Sequence, residues 1–192
     1  MSGNTSASGG YLRQTNTPLS DTQLEDALVA AVVGICGLPP GMVRPRWQPT
    51  PPKQPAPSVN WAAVGITERT GIDYPVIHHF DGGPDRLTRW SNVTVLASVY
   101  GPGCQGLAEQ LRDGFYIAQN LEQLSLISVK LTEIGTITAV PDMFNMQWIN
   151  RCDVVMRFNQ AVDRDYAVLD LASSSGGIFA DDGITTEWDV NP

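Results

Sequence analysis

A chain of 192 residues with 42% hydrophobic side chains, and five each of Trp, Tyr and Phe, holds material for one packed core plus extensions, a single core commonly taking roughly 100 to 150 residues. Twenty acids against twelve bases leave a net charge of −8, which argues against a sleeve that grips nucleic acid by neutralising phosphates. The most apolar run, Ala27 to Leu38, is too short for a bilayer span of roughly twenty residues; it follows Asp21, Glu25 and Asp26 rather than a basic leader, so a cytosolic product is expected.

Met1 to Pro18 is Gly, Ser, Thr and Asn with little apolar content, and reads as a flexible N-terminal arm. Ser20 and Gln23 form a capping box. Behind it Leu24, Ala27, Leu28, Ala31, Val32 and Ile35 recur at helical spacing until Gly37 and Pro39-Pro40-Gly41 stop the helix. Met42 to Gln48 predicts a short strand, and Pro49 to Pro57, with five prolines in nine residues, a loop. Asn60 to Thr67 and Tyr74 to Phe80 read as strands. Asp81-Gly82-Gly83 reverses the chain into Leu87 to Tyr100, whose alternation predicts a sheet with one face buried better than the other.

Gly101 to Cys104 turns into a second helix striped with Leu107, Leu111, Phe115 and Ala118 and expected to end near Asn120. Ile127 to Thr132 follows as a strand, and Gln147 to Asn159 as the clearest one. There Met146, Trp148, Cys152, Val154, Met156 and Phe158 are expected on one face, with Gln147, Arg151, Asp153, Arg157 and Asn159 on the other. Residues 161–192 turn acidic and Gly/Ser-rich, with strand-like pieces at Tyr166 to Leu171 and Ile184 to Val190. The sum is an α+β domain over residues 19–160, a mixed or mainly antiparallel sheet with two helices on one face, followed by a C-terminal extension.

Chemical sites are sparse. Gly101-Pro-Gly-Cys-Gln-Gly106 fits a dinucleotide fingerprint in spacing, but Pro102 removes a donor and only one β-α-β unit is visible, so a turn is the better reading. His78 and His79 are adjacent on a strand, which sends them to opposite faces and does not favour a shared metal. Ser173 to Gly177 lacks a nucleophile elbow. Cys36, Cys104 and Cys152 have no metal or disulfide spacing and read as buried thiols. No catalytic, cofactor or metal residue is assigned. Candidate interface residues are Arg44, Arg46 and Trp47 before the proline loop, Trp148 and Arg151 around the long strand, and Phe179 and Trp188 in the extension.

Arg44-Pro-Arg-Trp-Gln-Pro-Thr-Pro-Pro52, Asn60-Trp-Ala-Ala-Val-Gly-Ile66 and Val93-Thr-Val-Leu-Ala-Ser-Val-Tyr-Gly-Pro102 come in succession. Ala108-Glu-Gln-Leu-Arg-Asp-Gly114 and Val140-Pro-Asp-Met-Phe-Asn-Met-Gln-Trp-Ile-Asn-Arg-Cys-Asp-Val154 follow. In this order the chain resembles the bacteriophage neck and tail terminator family. That resemblance implies a non-enzymatic virion subunit, a homohexameric ring around the DNA channel. It would contact the tail tube, a sheath where there is one, and head-completion proteins, while DNA passes without specific binding. The rival readings are another head-tail connector or minor tail protein, and a small nucleotide-binding enzyme built on Gly101 to Gly106.

Overall fold

The computed structural model describes residues 4–80, 82–169, 174–179 and 185–190, the last two segments by their backbone. In chain order the elements are α1 (Asp21–Cys36), a 3-10 turn (Pro40–Met42), β1 (Val43–Pro45), β2 (Trp61–Gly71), β3 (Val76–His78) and β4 (Asp85–Tyr100). Then come α2 (Cys104–Gly114), α3 (Ala118–Leu126), β5 (Val129–Ala139), β6 (Asp142–Phe144), β7 (Gln147–Ile149), β8 (Arg151–Tyr166), β9 (Ser174–Phe179) and β10 (Thr185–Val190). The class is α+β, as the sequence predicts, with one helix more.

Two compact units divide the chain. The larger holds Pro18–Val76 and Thr88–Asp163. Its sheet runs β1-β2-β4-β8-β5, with β3 also paired to β4. β1 runs parallel to β2, while β2 with β4 and β5 with β8 are antiparallel. Side-chain pairs Thr88–Asp163, Asn92–Asn159 and Ser98–Asp153 descend on β8 as they climb on β4, residue for residue, which makes that central pair antiparallel too.

Helix α1 starts where its capping box dictates. Ser20 Oγ accepts from the Gln23 amide at 3.3 Å and Gln23 Oε1 accepts from the Ser20 amide at 2.9 Å. Gly37, at φ +65°, closes the helix by donating to Val33 O at 3.0 Å. Leu24, Leu28, Val32 and Cys36 face inward and meet Ala108 and Leu111 of α2, Leu124 of α3, and a sheet face of Ala62, Val64, Val95, Val99, Val154, Met156 and Phe158. All three helices therefore cover one side of the sheet. Phe115, fully buried, meets Phe158 edge to face with ring centroids 5.9 Å apart.

The second predicted helix stops at Gly114 rather than near Asn120. A Cβ on Gly114 would lie 2.3 Å from Ile35 Cγ2, so glycine permits α1 and α2 to approach here. Phe115 then turns into the core, Tyr116 and Ile117 are exposed, and α3 begins afresh, tied back by Asn120 Nδ2 donating to Gly114 O at 2.8 Å. The predicted strand over Tyr74 to Phe80 narrows to β3, and that over Ile127 to Thr132 lengthens to β5.

The long strand also differs from expectation. Cys152, Val154, Met156 and Phe158 are buried as their alternation requires, but Met146 and Trp148 are 96% and 70% exposed. They belong to a separate hairpin, β6–β7, whose turn places Asn145 at φ +49° and Met146 at φ +63°. A two-residue turn with both residues left-handed matches the twist of the strands it joins.

The smaller unit gathers Met1–Thr17, Ile77–Leu87 and Arg164–Pro192. Gln14 bridges Tyr166, the Thr15 amide donates to Asp165 O at 2.7 Å, and Ser6 donates from its amide to Ala167 O and accepts the Leu169 amide at its hydroxyl. The Arg86 guanidinium donates to Asp165 and holds its carboxyl below the usual range. His79 Nδ1 lies 2.7 Å from Asp85 Oδ2, so Asp85 rather than His78 engages that imidazole. Strands β9 and β10 pair antiparallel with each other.

Candidate interface site

The sheet face turned away from the helices has its own chemistry. Register sets Trp61 opposite Tyr100 and Ala63 opposite Ser98. The Trp61 and Tyr100 rings stack with centroids 4.2 Å apart and planes within 5°. Arg44 lies over Trp61 at 5.8 Å and Arg151 over Tyr100 at 5.6 Å, so two guanidinium groups bracket two aromatic rings. Ala63, Tyr100 and Ile149 form a small second core that Trp61 and Phe144 cover, and Ile149 thereby docks the β6–β7 hairpin on this face.

Polar bonds continue the row. Arg151 forks onto Asp153, Nε to Oδ1 at 2.8 Å and Nη2 to Oδ2 at 2.7 Å, with Nη1 3.5 Å from Asp142. Ser98 Oγ donates to Asp153 Oδ1 at 2.5 Å and accepts from Arg46 Nη2. The hydrogen bond to Asp153 keeps Arg151 firmly protonated. Arg46 Nε is buried with no hydrogen-bond partner among the described residues. Gly65 makes room for this segment, since a Cβ there would stand 2.8 Å from Arg46 Cβ and 2.9 Å from the Trp47 ring.

Beside the stack lies an open pocket of about 280 Å³ whose lining includes Arg44, Arg46, Pro51, Pro52, Trp61 and Asp142. Arg44 shapes its rim by donating from Nε to Gly41 O at 3.0 Å and from Nη1 to Lys53 O at 2.9 Å, which holds the proline loop in place. The arrangement offers positive charge, flat aromatic area and a proline wall. Aromatic residues and arginine are the types enriched where one protein chain meets another.

The Gly101 to Gly106 turn serves packing. Gly101 sits at φ +106°, where a Cβ would lie 2.6 Å from Val59 O and from Asn60 Oδ1, and the Gly103 amide already donates to Asn60 Oδ1 at 2.9 Å. A phosphate would find that donor taken.

A family model described as phage neck terminator protein matches residues 22–182. The chain belongs to this family. A search of curated proteins finds no match. Membership in the neck terminator family makes the chain a phage structural protein of the tail and neck. Arg44, Arg46 and Arg151 come together on one face with Trp47 beside them, and Trp148 is exposed on the hairpin that docks there. The side chains of Phe179 and Trp188 lie outside the described ones. Sequence reading missed Trp61, Tyr100, Ser98 and Asp153, which carry the stack and the polar row. A hint was present in the β-strand spacing that puts Tyr100 and Ser98 on the same side, away from Val99 and Ala97.

Proposed function

We propose that the chain is a ring-forming subunit, a homohexamer in the expected case, that ends the phage tail and joins it to the neck around the DNA channel. The observation that carries this reading is the neck terminator match across residues 22–182. In this reading tail tube protein contacts one side of the ring, neck proteins the other, and the subunit works by shape rather than by catalysis. Arg44, Arg46, Trp47, Trp148 and Arg151 serve as contact residues, together with Phe179 and Trp188 of the extension, which reaches a neighbour. The surplus of twenty acids over twelve bases supports a channel that repels phosphate and lets DNA pass. Assembly takes place in the host cytoplasm.

Light scattering on the purified chain, alone and with tail tube protein, tests the proposal. A discrete ring mass is expected in at least one condition, and a strict monomer in both contradicts it.

A further inference from the structure

Positive charge is scarce in this chain, and four of its twelve bases, Arg44, Arg46, Lys53 and Arg151, gather around the Trp61–Tyr100 stack and the proline loop. Arg151 is matched by Asp153 and Asp142. Arg44 donates to the backbone carbonyls of Gly41 and Lys53, Arg46 bonds a neutral serine, and neither has an ion pair among the described residues. A guanidinium at a pocket rim without a carboxylate attracts one.

The opposite imbalance lies at the other end of the sequence. Beyond Arg164 there is no base, while Asp165, Asp170, Asp181, Asp182, Glu187 and Asp189 follow. The β9–β10 hairpin contains Glu187-Trp-Asp189, and among the described residues its strands pair only with each other. A two-stranded ribbon by itself is marginal in water and gains from a surface to lie on.

We propose that the pocket framed by Arg44, Arg46 and Trp61 receives the acidic β9–β10 hairpin of a second copy of this chain. This rests on the ring reading and names one of its contacts. Charge complementarity selects the partner: Glu187 and Asp189, two residues apart on β10 and so on one face of that strand, are the counterpart of Arg44 and the exposed Lys53. Pocket and hairpin are different surfaces, so the contact is head-to-tail, the kind that closes into rings when the rotation permits. It is also sensitive to salt, since rim charges are screened over roughly 8 Å at physiological ionic strength.

A charge exchange in the full chain tests this. One variant carries Arg44→Glu and Lys53→Glu, the other Glu187→Lys and Asp189→Lys. Circular dichroism and melting first establish that both fold as wild type does, with Arg44→Gln and Lys53→Gln as the milder substitute where the first does not. Each variant alone is expected to self-associate at least about tenfold more weakly than wild type, because like charges then face each other. An equimolar mixture restores association, since every acidic hairpin then finds a basic pocket and every basic hairpin an acidic one. Variants that assemble as wild type does overturn the docking. So does a loss that mixing fails to rescue, which is the result expected when the hairpin folds onto its own chain or contacts another virion protein. Wild-type chain that stays monomeric, with and without tube protein, overturns the ring reading instead.

Discussion

Gly65 shows how one missing methyl group shapes the candidate site. With Arg46 Cβ and the Trp47 ring both closer than 3 Å to where a Cβ would stand, Gly65→Ala pushes the Arg44 to Trp47 segment off the sheet. It should cost about 1–3 kcal/mol, read as a lower denaturation midpoint together with a shift in tryptophan emission. The buried thiols act at the same scale. Burial pushes Cys36 from 9.0 to about 11, and burial followed by the neighbouring Cys104 thiol pushes Cys152 from 9.0 to about 12. Raised folded values mean that the unfolded chain loses these protons first. The stabilising contribution is whole below pH 9 and is lost as pH rises through 11 and 12. Melting temperature should fall above pH 9, and Cys36→Ala should flatten that fall; a profile unchanged by the substitution contradicts the assignment.

Among elements, the β6–β7 hairpin carries the clearest conflict between local stability and exposure. Met146 sits at φ +63° with its side chain almost wholly in solvent, while Met143 and Trp148 pair across the strands and are also exposed. Left-handed backbone costs a residue with a Cβ about 1–2 kcal/mol, a penalty that glycine removes. Met146→Gly should therefore raise the melting temperature of the isolated subunit and, on the interface reading, weaken its association with tube or neck proteins. A variant that is more stable and assembles equally well removes the hairpin tip from the interface. This element also marks where sequence reading stops. Helix α1 was legible because Ser20, Gln23 and Gly37 write both of its ends locally. Apolar residues at Met146, Trp148, Cys152, Val154, Met156 and Phe158 keep one period-two register, by contrast, and only the inversion at Ile149-Asn150 marks where the hairpin ends and the long strand begins. Helix α3 was hidden likewise, since Ile117 offers no side-chain cap and only Leu124 of that helix is buried. The stack was out of reach because Trp61 and Tyr100 meet only through the register of β2 on β4.

For the whole molecule, the larger unit holds the helices, the apolar core and the arginine–aromatic face, all within Pro18–Val76 and Thr88–Asp163. Removing residues 173–192 should leave its melting transition nearly unchanged while weakening ring formation or tail attachment; unfolding of the subunit, or assembly left intact, contradicts the role given to the extension. Charge makes a further expectation, that the purified protein binds duplex DNA weakly at physiological salt, with little of the steep salt dependence that phosphate neutralisation produces. The central claim concerns place. Gold labelling of purified virions with an antibody against this chain, viewed by electron microscopy, should put label at the junction of tail and neck, and virions labelled elsewhere or not at all would contradict it.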